Sequence, residues 1–391
     1  MGLNAALVLT TIADPVLLQG YYDNFVRHGH LHQVRVYVIP DRKTPAAAYE
    51  RCHRLRQRGL EIVCPSLPEQ EAYLKRIGFP PELVPYDSDN RRNVGYLMAL
   101  DGDNDFVISI DDDNYCVPEE DFFVAHATVC GPLGEESVVE SESGWFNVCD
   151  LLQVHPPQTV YARGFPYFGR HQAVRLSQQR QPACVRINAG LWLSEPDLDG
   201  MSWLVSPVRT TGFCGHSVVL GANTWSPVNT QNTALQREAL AAYYFVRMGH
   251  ALAGANIDRY GDIFSGYFSQ ACARHLGHAV RVGTPLADHR RNSHNYLRDA
   301  SQELACICML EDVLAWLSRA ASAGHQLQRD LRFTQLRTGR GSASFSRSRV
   351  ERRRRSVLPR GGVLHAQVGA GLPASHLAAF SCHPQPAVIP W

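Results

Sequence analysis

The sequence predicts an α/β protein in which parallel strands alternate with crossover helices. Two observations support this class. Residues 6–12 form an apolar, β-branched run without helical periodicity, and Asp14-Pro15 follows as a helix N-cap and first helical residue. An apolar run, a helix-opening signal and a helix-closing glycine then recur twice along the chain. This alternation requires parallel strands joined by crossover helices.

The first 115 residues carry these elements in a regular order. The predicted elements are a helix ending near Gly29, a strand at 34–39, a helix from Thr44-Pro45 to Gly59, a strand at 60–63, a helix from Ser66 to Gly78, a helix at 91–100 and a strand at 106–110. Ser66 and Glu69 have the spacing of a capping box. Residues 1–115 are therefore typical of a nucleotide-binding α/β half.

Residues 116–330 are predicted to complete the same domain as its second half. The predicted elements are a helix from Pro118 to Cys130, a turn-rich stretch at 131–232 with short strands such as 217–220, and helices at 233–252, 262–275 and 295–323, the last closed by Gly324. Residues 337–391 are a basic segment rich in Gly, Pro and Ser, and we expect this tail to be disordered.

The charge and cysteine composition argues against several classes of protein. The 391 residues carry 38 Lys and Arg against 37 Asp and Glu, a balance that favours neither a nucleic-acid binder nor an acidic solvating protein. The run at 352–355 is purely basic and lacks interleaved aromatic residues, which favours a solvated tail over a nucleic-acid site. Eleven cysteines without a Cys-x-x-Cys pair, and no apolar run of ~18 residues, predict a cytoplasmic protein without a membrane span.

The most informative motif is the run Asp111-Asp112-Asp113, which directly follows the apolar strand at 106–110. In an extended segment, Asp111 and Asp113 project to one side and Asp112 to the other. In an open α/β sheet, that side is the crevice at the carboxyl ends of the strands. Two carboxylates there suit Mg²⁺ or Mn²⁺, which take further oxygen ligands from water and a diphosphate. The alternative is a solvated acidic turn or a helix N-cap, but the strand and helix context favours the metal site.

Five further segments accompany the aspartate run in a fixed order. They are Asn93 to Met98, Arg163 to Pro166, Gly190 to Leu193 with Pro196-Asp197-x-Asp199, Arg259 to Asp262 with Ser265-Gly266, and Gly283-x-Pro285 leading to His289. Over residues 5–305 the sequence resembles the reversibly glycosylated polypeptides, the UDP-arabinopyranose mutase family. The resemblance implies the GT-A (nucleotide-diphospho-sugar transferase) fold, with a mixed, largely parallel sheet flanked by helices. It also implies that residues 116–330 are the sugar and acceptor half of this GT-A domain.

The resemblance also implies roles for individual residues. Asp111 and Asp113 are expected near the metal and the UDP diphosphate. Arg163 matches the arginine that becomes reversibly glycosylated in the family, although an arginine in a Gly/Pro loop can also be a plain surface residue. Asp262 matches the second acid of the family's Arg-Tyr-Asp-Asp and is expected to act on the sugar, but Gly261 replaces the first acid, and Asp262 could serve only as an N-cap.

Four more positions complete the expected metal and nucleotide site. His289 follows an apolar strand and is expected to complete the metal shell, as a C-terminal histidine often does in GT-A folds, unless it only satisfies local hydrogen bonds. Asp41, at the end of the second strand, is expected to bind uridine or to form an Asx turn. Arg92 and Asn93 open a helix, where they could donate to the base or phosphate or simply cap the helix.

The remaining candidates lie on the sugar side or beside the metal. Asn188 and Trp192 are expected to line the sugar or acceptor side, with a core position as the alternative for Trp192. Asp112, which diverges from the metal, is grouped with the nucleotide-binding residues. The sequence thus predicts six nucleotide- or sugar-binding residues besides the metal ligands and the two catalytic candidates.

Together these residues predict a metal-dependent nucleotide-sugar enzyme. The leading interpretation is a glycosyltransferase that moves a sugar from a UDP-sugar to an acceptor, either a saccharide, a natural product or a protein. The close alternative is a mutase that interconverts pyranose and furanose forms of a UDP-pentose with reversible self-glycosylation, which Arg163 favours and Gly261 weakens. A non-catalytic UDP-sugar-binding scaffold and a metal-dependent phosphohydrolase are further alternatives. The sugar, the acceptor and the oligomeric state stay open at this level.

Overall fold

The computed structural model describes residues 2–172, 175–244, 246–247, 250–252, 255–292 and 294–338. The chain divides into two units, Met1–Gln328 and Arg329–Trp391. The basic tail predicted at 337–391 lies outside the described residues except for its first two positions. No helix in the described part of the chain is both long and apolar enough to cross a membrane.

The described residues form strands and helices that alternate through the first half of the chain. The strands are β1 (Ala5–Thr11), β2 (Val34–Pro40), β3 (Glu61–Val63), β4 (Phe106–Ile110), β5 (Asn114–Cys116), β6 (Pro132–Ser141), β7 (Leu152–His155), β8 (Leu176–Ser194), β9 (Arg209–Phe213), β10 (Val218–Leu220), β11 (Asn232–Gln236), β12 (His250–Leu252), β13 (Ala255–Ile257) and β14 (Ala279–His289). The α-helices are α1 (Leu18–His28), α2 (Ala46–Gln57), α3 (Leu67–Arg76), α4 (Arg92–Asp101), α5 (Phe122–Ala127), α6 (Gly200–Val205), α7 (Gly261–His275) and α8 (Tyr296–Thr338).

Twelve strands form one mixed sheet, whose main order is β3-β2-β1-β4-β11-β8-β6-β10-β14-β5, with β7 and β9 attached beside β8. Strands β12 and β13 pair separately as a two-stranded sheet. The first four strands of the large sheet are parallel, and β11 continues them as an antiparallel strand in which Asn232 faces Ile110. Helices cover both faces, because alternate residues of β1 enter different hydrophobic cores: Val8 packs with residues of α3 and α4, and Leu7 with residues of α1 and α2. The predicted α/β class, a mixed sheet flanked by helices, is confirmed.

Local signals in the first 115 residues are confirmed with small shifts. Strand β4 has the predicted bounds, and the capping box of Ser66 and Glu69 forms at the start of α3. Helix α1 ends at Gly29, which has a left-handed φ of 81°, but it begins at Leu18 rather than beside Asp14. Asp14 does not cap it because its carboxylate pairs with the guanidinium of Arg51, at 2.6 Å.

Three predictions for the second half are corrected. The predicted helix at 233–252 is instead strand β11, a 3₁₀ turn at Arg237–Ala242 and strand β12. The stretch at 131–232 contains the 19-residue strand β8, whose first seven residues are exposed and polar enough to hide the alternation. Helix α8 passes through Gly324, because one glycine costs a helix only about 1 kcal/mol relative to alanine and need not end it.

Candidate functional site

A cavity of about 270 Å³ lies where the carboxyl ends of β4 and β14 meet the amino end of β11. Strand ends converge at this edge of the sheet, which is where open α/β folds bind ligands. Six of the residues singled out in the sequence line the cavity: Arg92, Asp111, Asp113, Arg163, Asp262 and His289. Residues that lie 197 positions apart along the chain are therefore brought to one site.

The aspartate run reaches the cavity through a tight turn. After β4, the backbone N–H of Asn114 donates to the carbonyl oxygen of Asp111 at 3.3 Å, so the run turns instead of continuing as an extended strand. Asp111 and Asp113 line the cavity. Asp112 diverges from them and accepts a 2.6 Å hydrogen bond from the hydroxyl of Thr11 on β1. The predicted divergence is present, but a turn produces it.

Asp111 is held by an arginine from α4. Nη2 of Arg92 lies 2.5 Å from Oδ1 of Asp111, and its Nη1 donates to the carbonyl oxygen of Thr230 at 3.1 Å. Burial raises the pKa of Asp111 above its usual value despite the attraction of Arg92. Arg92 itself is only 3% exposed, and its buried guanidinium fixes the position of Asp111 at the end of β4.

Asp113 and His289 form a second ion pair in the cavity, between a carboxylate and an imidazole. Nε2 of His289 lies 3.5 Å from Oδ2 of Asp113, and Nδ1 of the ring lies 2.6 Å from the carbonyl oxygen of Glu195. Burial alone would raise the pKa of Asp113 and lower that of His289. The attraction between them outweighs burial and moves the two pKa values in the opposite directions, so the pair is stabilised in its charged form.

This pair has the chemistry of a partial metal site. A histidine that binds a metal through one ring nitrogen commonly donates its other N–H to a backbone carbonyl, as Nδ1 of His289 is placed to do towards Glu195. Mg²⁺ and Mn²⁺ need only one or two carboxylates when phosphates and waters supply the other ligands. In the described residues, however, no group of three His, Cys, Asp or Glu side chains is arranged to hold a metal. Asp113 fits a divalent ion, and so does His289 once Nε2 has given up its proton to the incoming metal, whereas Asp111 is occupied by Arg92.

Arg163 is enclosed between two carboxylates. Its Nε lies 3.0 Å from Oδ1 of Asp197, and its Nη2 lies 2.6 Å from Oδ2 of Asp262. All three side chains are less than a tenth exposed. Burial opposes the charge of Arg163, but the two carboxylates outweigh it and raise its pKa well above the usual value. Arg163 is thus a fixed, protonated side chain that lines the cavity, and it is not a surface arginine.

The backbone conformation at two positions supports the cluster of Arg163, Asp197 and Asp262. Arg259 adopts a left-handed φ of 54°, unusual for a residue other than glycine, and its carbonyl oxygen accepts a hydrogen bond from Nη1 of Arg163. Gly164, which follows Arg163, has a φ of 89°, and a Cβ there would lie 2.5 Å from a methyl carbon of Ile263. Helix α7 can therefore approach closely and present Asp262 to Arg163. These constraints explain the Arg-Gly and Arg-Tyr motifs in packing terms.

Five predicted residues lie outside the cavity wall. Asp41, at the end of β2, accepts hydrogen bonds from the backbone N–H groups of Arg42 and Ser88, at 2.7 and 3.3 Å. Asp112 and Asn93, the latter in the first turn of α4, also lie beyond the lining residues. The other two are Asn188 and Trp192. Nucleotide binding by Asp41, Asn93 and Asp112 stays a prediction.

The placement expected for Asn188 and Trp192 is corrected. Asn188 is fully buried on β8, where its amide nitrogen lies 3.1 Å from Nδ1 of His126 and donates to the carbonyl oxygen of Thr284. Trp192 is 4% exposed and belongs to a hydrophobic core cluster. Both side chains point into the protein because β8 is a central strand covered on both faces, so neither lines the cavity.

Seven lining residues were not chosen from the sequence: Asp89, Asp197, Thr230, Gln231, Arg259, Arg291 and His294. Asp197 and Arg259 lie within the motifs quoted above, and their motif positions were the available signal. Asp89 lies just before α4, and burial, followed by the nearby charge of Asp262, raises its pKa to about 7. Arg291 and His294 follow β14 in a segment without a recognisable motif.

Comparison with known proteins identifies the family. The family model described as "Reversibly glycosylated polypeptide" matches residues 73–323, which include every charged residue of the cavity named above. The chain belongs to this family.

Curated relatives of this chain include plant enzymes. UDP-arabinopyranose mutase 1 of Arabidopsis thaliana is 28% identical over 231 residues, which cover 59% of this chain and 59% of that protein. UDP-arabinopyranose mutase 1 of Oryza sativa subsp. japonica is 26% identical over 231 residues, with 59% and 58% covered. The chain thus spans just under three fifths of the length of these relatives.

Solved structures show a looser likeness. Glucosyl-3-phosphoglycerate synthase from Mycobacterium tuberculosis, in complex with Mn²⁺ and uridine-diphosphate-glucose, is 12% identical with a TM-score of 0.39, and the match covers 79% of this chain and 78% of that one. The same synthase in complex with phosphoglyceric acid is 13% identical with a TM-score of 0.40, and the match covers 79% of each chain.

Proposed function

We propose that this protein is a UDP-sugar enzyme that interconverts the pyranose and furanose ring forms of a UDP-pentose. The observation that carries the proposal is that Arg163 lines the same cavity as Asp113 and His289. A residue matching the family's glycosylated arginine therefore lies beside the groups suited to a diphosphate and its metal. The names of the plant relatives support the same activity.

The metal side of the cavity would be provided by Asp113 and His289, with Asp111 close by. A bound Mg²⁺ or Mn²⁺ would neutralise the negative charge that develops on the diphosphate as the anomeric C–O bond breaks. Asp113 is held ionised by His289, so it is ready to serve as an oxygen ligand at neutral pH. Arg92 keeps the adjacent Asp111 in place through its 2.5 Å contact.

The sugar side would be provided by Arg163 and Asp262. A guanidinium is a poor nucleophile because it is protonated, so transfer of a sugar to Nη2 needs a base that takes its proton. Oδ2 of Asp262, 2.6 Å from Nη2, is placed to accept that proton as the N–C bond forms and UDP leaves.

While the sugar is bound to Nη2, a C=N bond forms at the anomeric carbon as the ring C–O bond breaks, and the released oxygen takes the proton from Asp262. A different hydroxyl of the sugar then closes the ring on the same carbon and returns its proton to Asp262. Attack by UDP on that carbon breaks the N–C bond, gives the proton back to Arg163 and releases the isomerised UDP-sugar.

The second candidate is the glycosyltransferase that the sequence favours. The observation that supports it is that the N–H groups of Arg163 are already engaged by Asp197, Asp262 and the carbonyl of Arg259. An arginine satisfied in this way can act as a fixed positive wall for a sugar without ever bonding to it.

Incubation with UDP-arabinopyranose and Mn²⁺ tests the proposal. The mutase is expected to produce the furanose form, separated by chromatography, and radiolabelled substrate is expected to label the protein until unlabelled UDP removes the label. Arg163→Lys should lose both, because a lysine cannot pair with two carboxylates and present the same nitrogen.

The matched control is Arg170→Lys. Arg170 pairs with Asp199 at 2.6 Å and its side chain is 12% exposed, yet it does not line the cavity. This variant should retain ring interconversion and labelling. Absence of the furanose form in the wild type, with a product made only when an acceptor is added, would overturn the mutase in favour of the transferase.

A further inference from the structure

The arginines of the cavity differ in how their charge is balanced. Arg92 pairs with Asp111, Arg163 with Asp197 and Asp262, and Arg259 with Asp299 and Glu303. Arg291 also lines the cavity, but within the described residues no carboxylate pairs with it. Among the described residues Asp197 attracts it only at longer range, without a direct ion pair, so Arg291 is the least closely paired arginine of the cavity.

The guanidinium of Arg291 is held by aromatic rings. Its central carbon lies 5.3 Å from the ring centre of Trp203 and 5.6 Å from that of Tyr296. These two rings stack on each other at 5.5 Å with an interplanar angle of 10°. Aromatic faces attract a guanidinium but leave its N–H groups free to donate in the ring-free directions.

One of those N–H groups is buried and without an acceptor. Nη1 of Arg291 is inaccessible to solvent and has no hydrogen-bond partner in the described part of the chain. Leaving a charged donor buried without an acceptor is unfavourable, so a ligand that supplies an acceptor to this N–H gains binding energy. Its place two residues after His289 puts it at the metal side of the cavity.

We propose that Arg291 binds the diphosphate of the nucleotide sugar. The inference rests on the proposed function, because it assumes a nucleoside diphosphate as the ligand. The charged oxygens of a diphosphate can accept hydrogen bonds from the N–H groups of a guanidinium. Hydrogen bonds between charged groups are roughly twice as strong as those between neutral groups. The diphosphate would then be held between Arg291 and the ion at Asp113 and His289, which leaves the sugar directed towards Arg163.

Calorimetric binding of UDP and uridine to the intact chain, with Mn²⁺ present, tests this role. Arg291→Gln is expected to weaken UDP binding about tenfold to a hundredfold and to leave uridine binding unchanged, because uridine lacks the phosphates. Arg290→Gln is the matched control. Arg290 is its neighbour, but it is 62% exposed, pairs with Asp288 at 2.7 Å and does not line the cavity, so UDP binding should stay at the wild-type level.

Each outcome decides one question. Equal UDP affinity of wild type and Arg291→Gln overturns the role of Arg291 and leaves the proposed function standing. If the wild type does not bind UDP, the proposed function itself fails. If Arg291→Gln melts well below the wild type, UDP binding by Arg291→Lys tests the role instead. Lysine keeps a positive charge over the rings but lacks the two-pronged guanidinium. UDP binding about threefold to tenfold weaker than in the wild type supports the role of Arg291, whereas unchanged binding overturns it.

Discussion

The two walls of the cavity differ in how completely their charges are paired. On the paired wall, Arg163 and Arg259 each contact two carboxylates at 3.3 Å or less. On the open wall, Nε2 of His289 lies 3.5 Å from Oδ2 of Asp113, and Arg291 forms no direct ion pair with a carboxylate of the described residues. Incompletely paired charges at a cavity mark the place where a charged ligand completes the set.

This difference assigns separate tasks to the walls. The paired wall is buried and balanced, so its charges fix the geometry around Arg163 with little attraction left for an anion. The open wall combines an ionised carboxylate, a histidine and a less closely paired arginine, which suits a metal bound to a diphosphate. We therefore expect the open wall to supply most of the binding energy for the metal and the diphosphate, and the paired wall to position the sugar.

The largest expected effect comes from breaking the paired wall. Asp197→Ala leaves Arg163 with one carboxylate in a buried site and also removes an acceptor from Asn229, 2.7 Å away. Loss of one partner of a buried ion pair destabilises a protein by about 3–5 kcal/mol. Denaturant unfolding of wild type and variant measures the change in the free energy of unfolding.

The control for this measurement is an exposed pair. Asp23 lies 3.8 Å from Arg58, and both side chains are about half exposed. Asp23→Ala should change the free energy of unfolding by no more than about 1 kcal/mol. Equal losses in Asp197→Ala and Asp23→Ala would contradict the distinction between the two walls.

A smaller effect is expected from Asp89, which lies near both walls. Its pKa of about 7 in the folded protein exceeds the unfolded value of about 3.9, so its stabilising contribution is complete below pH 3.9 and is lost as the pH rises through 7. Between pH 5 and 7, the wild type should lose up to about 1 kcal/mol of stability per pH unit more than Asp89→Asn. Unfolding curves in metal-free buffer across this range measure the slope.

Asp87→Asn provides the comparison for that slope. Asp87 is exposed, pairs with Arg42 at 3.5 Å and lies outside the cavity wall. Its removal should leave the pH dependence as in the wild type. The burial argument for Asp89 fails if both variants keep the wild-type slope.

The fold was predictable where local signals and tertiary environment agree. Strand β4 is apolar throughout and buried throughout, so its bounds follow from sequence alone. Strand β8 was missed because its first half is polar and exposed, and only pairing with β6 makes it a strand. The helix predicted at 233–252 failed for a similar reason, since Asn232–Gln236 pairs on both sides with β4 and β8.

The site was predictable where a motif carried the chemistry. Asp113, Arg163 and His289 lie in segments that resemble family motifs, and all three reach the cavity. Asn188 lies beside such a segment too, but burial on a central strand depends on neighbours that a single sequence does not reveal. Arg291 gave no signal, because its environment comes from rings contributed by α6 and α8.

The most direct test of the open wall is the effect of Mn²⁺ on UDP affinity in wild type, Asp113→Ala and Asp112→Ala, measured by calorimetry. Asp112 is a matched control, because it is the adjacent carboxylate but is bonded to Thr11 away from the cavity. We expect Mn²⁺ to raise UDP affinity at least about tenfold in wild type and Asp112→Ala, and to have no effect in Asp113→Ala. An equal Mn²⁺ effect in all three proteins would contradict the account.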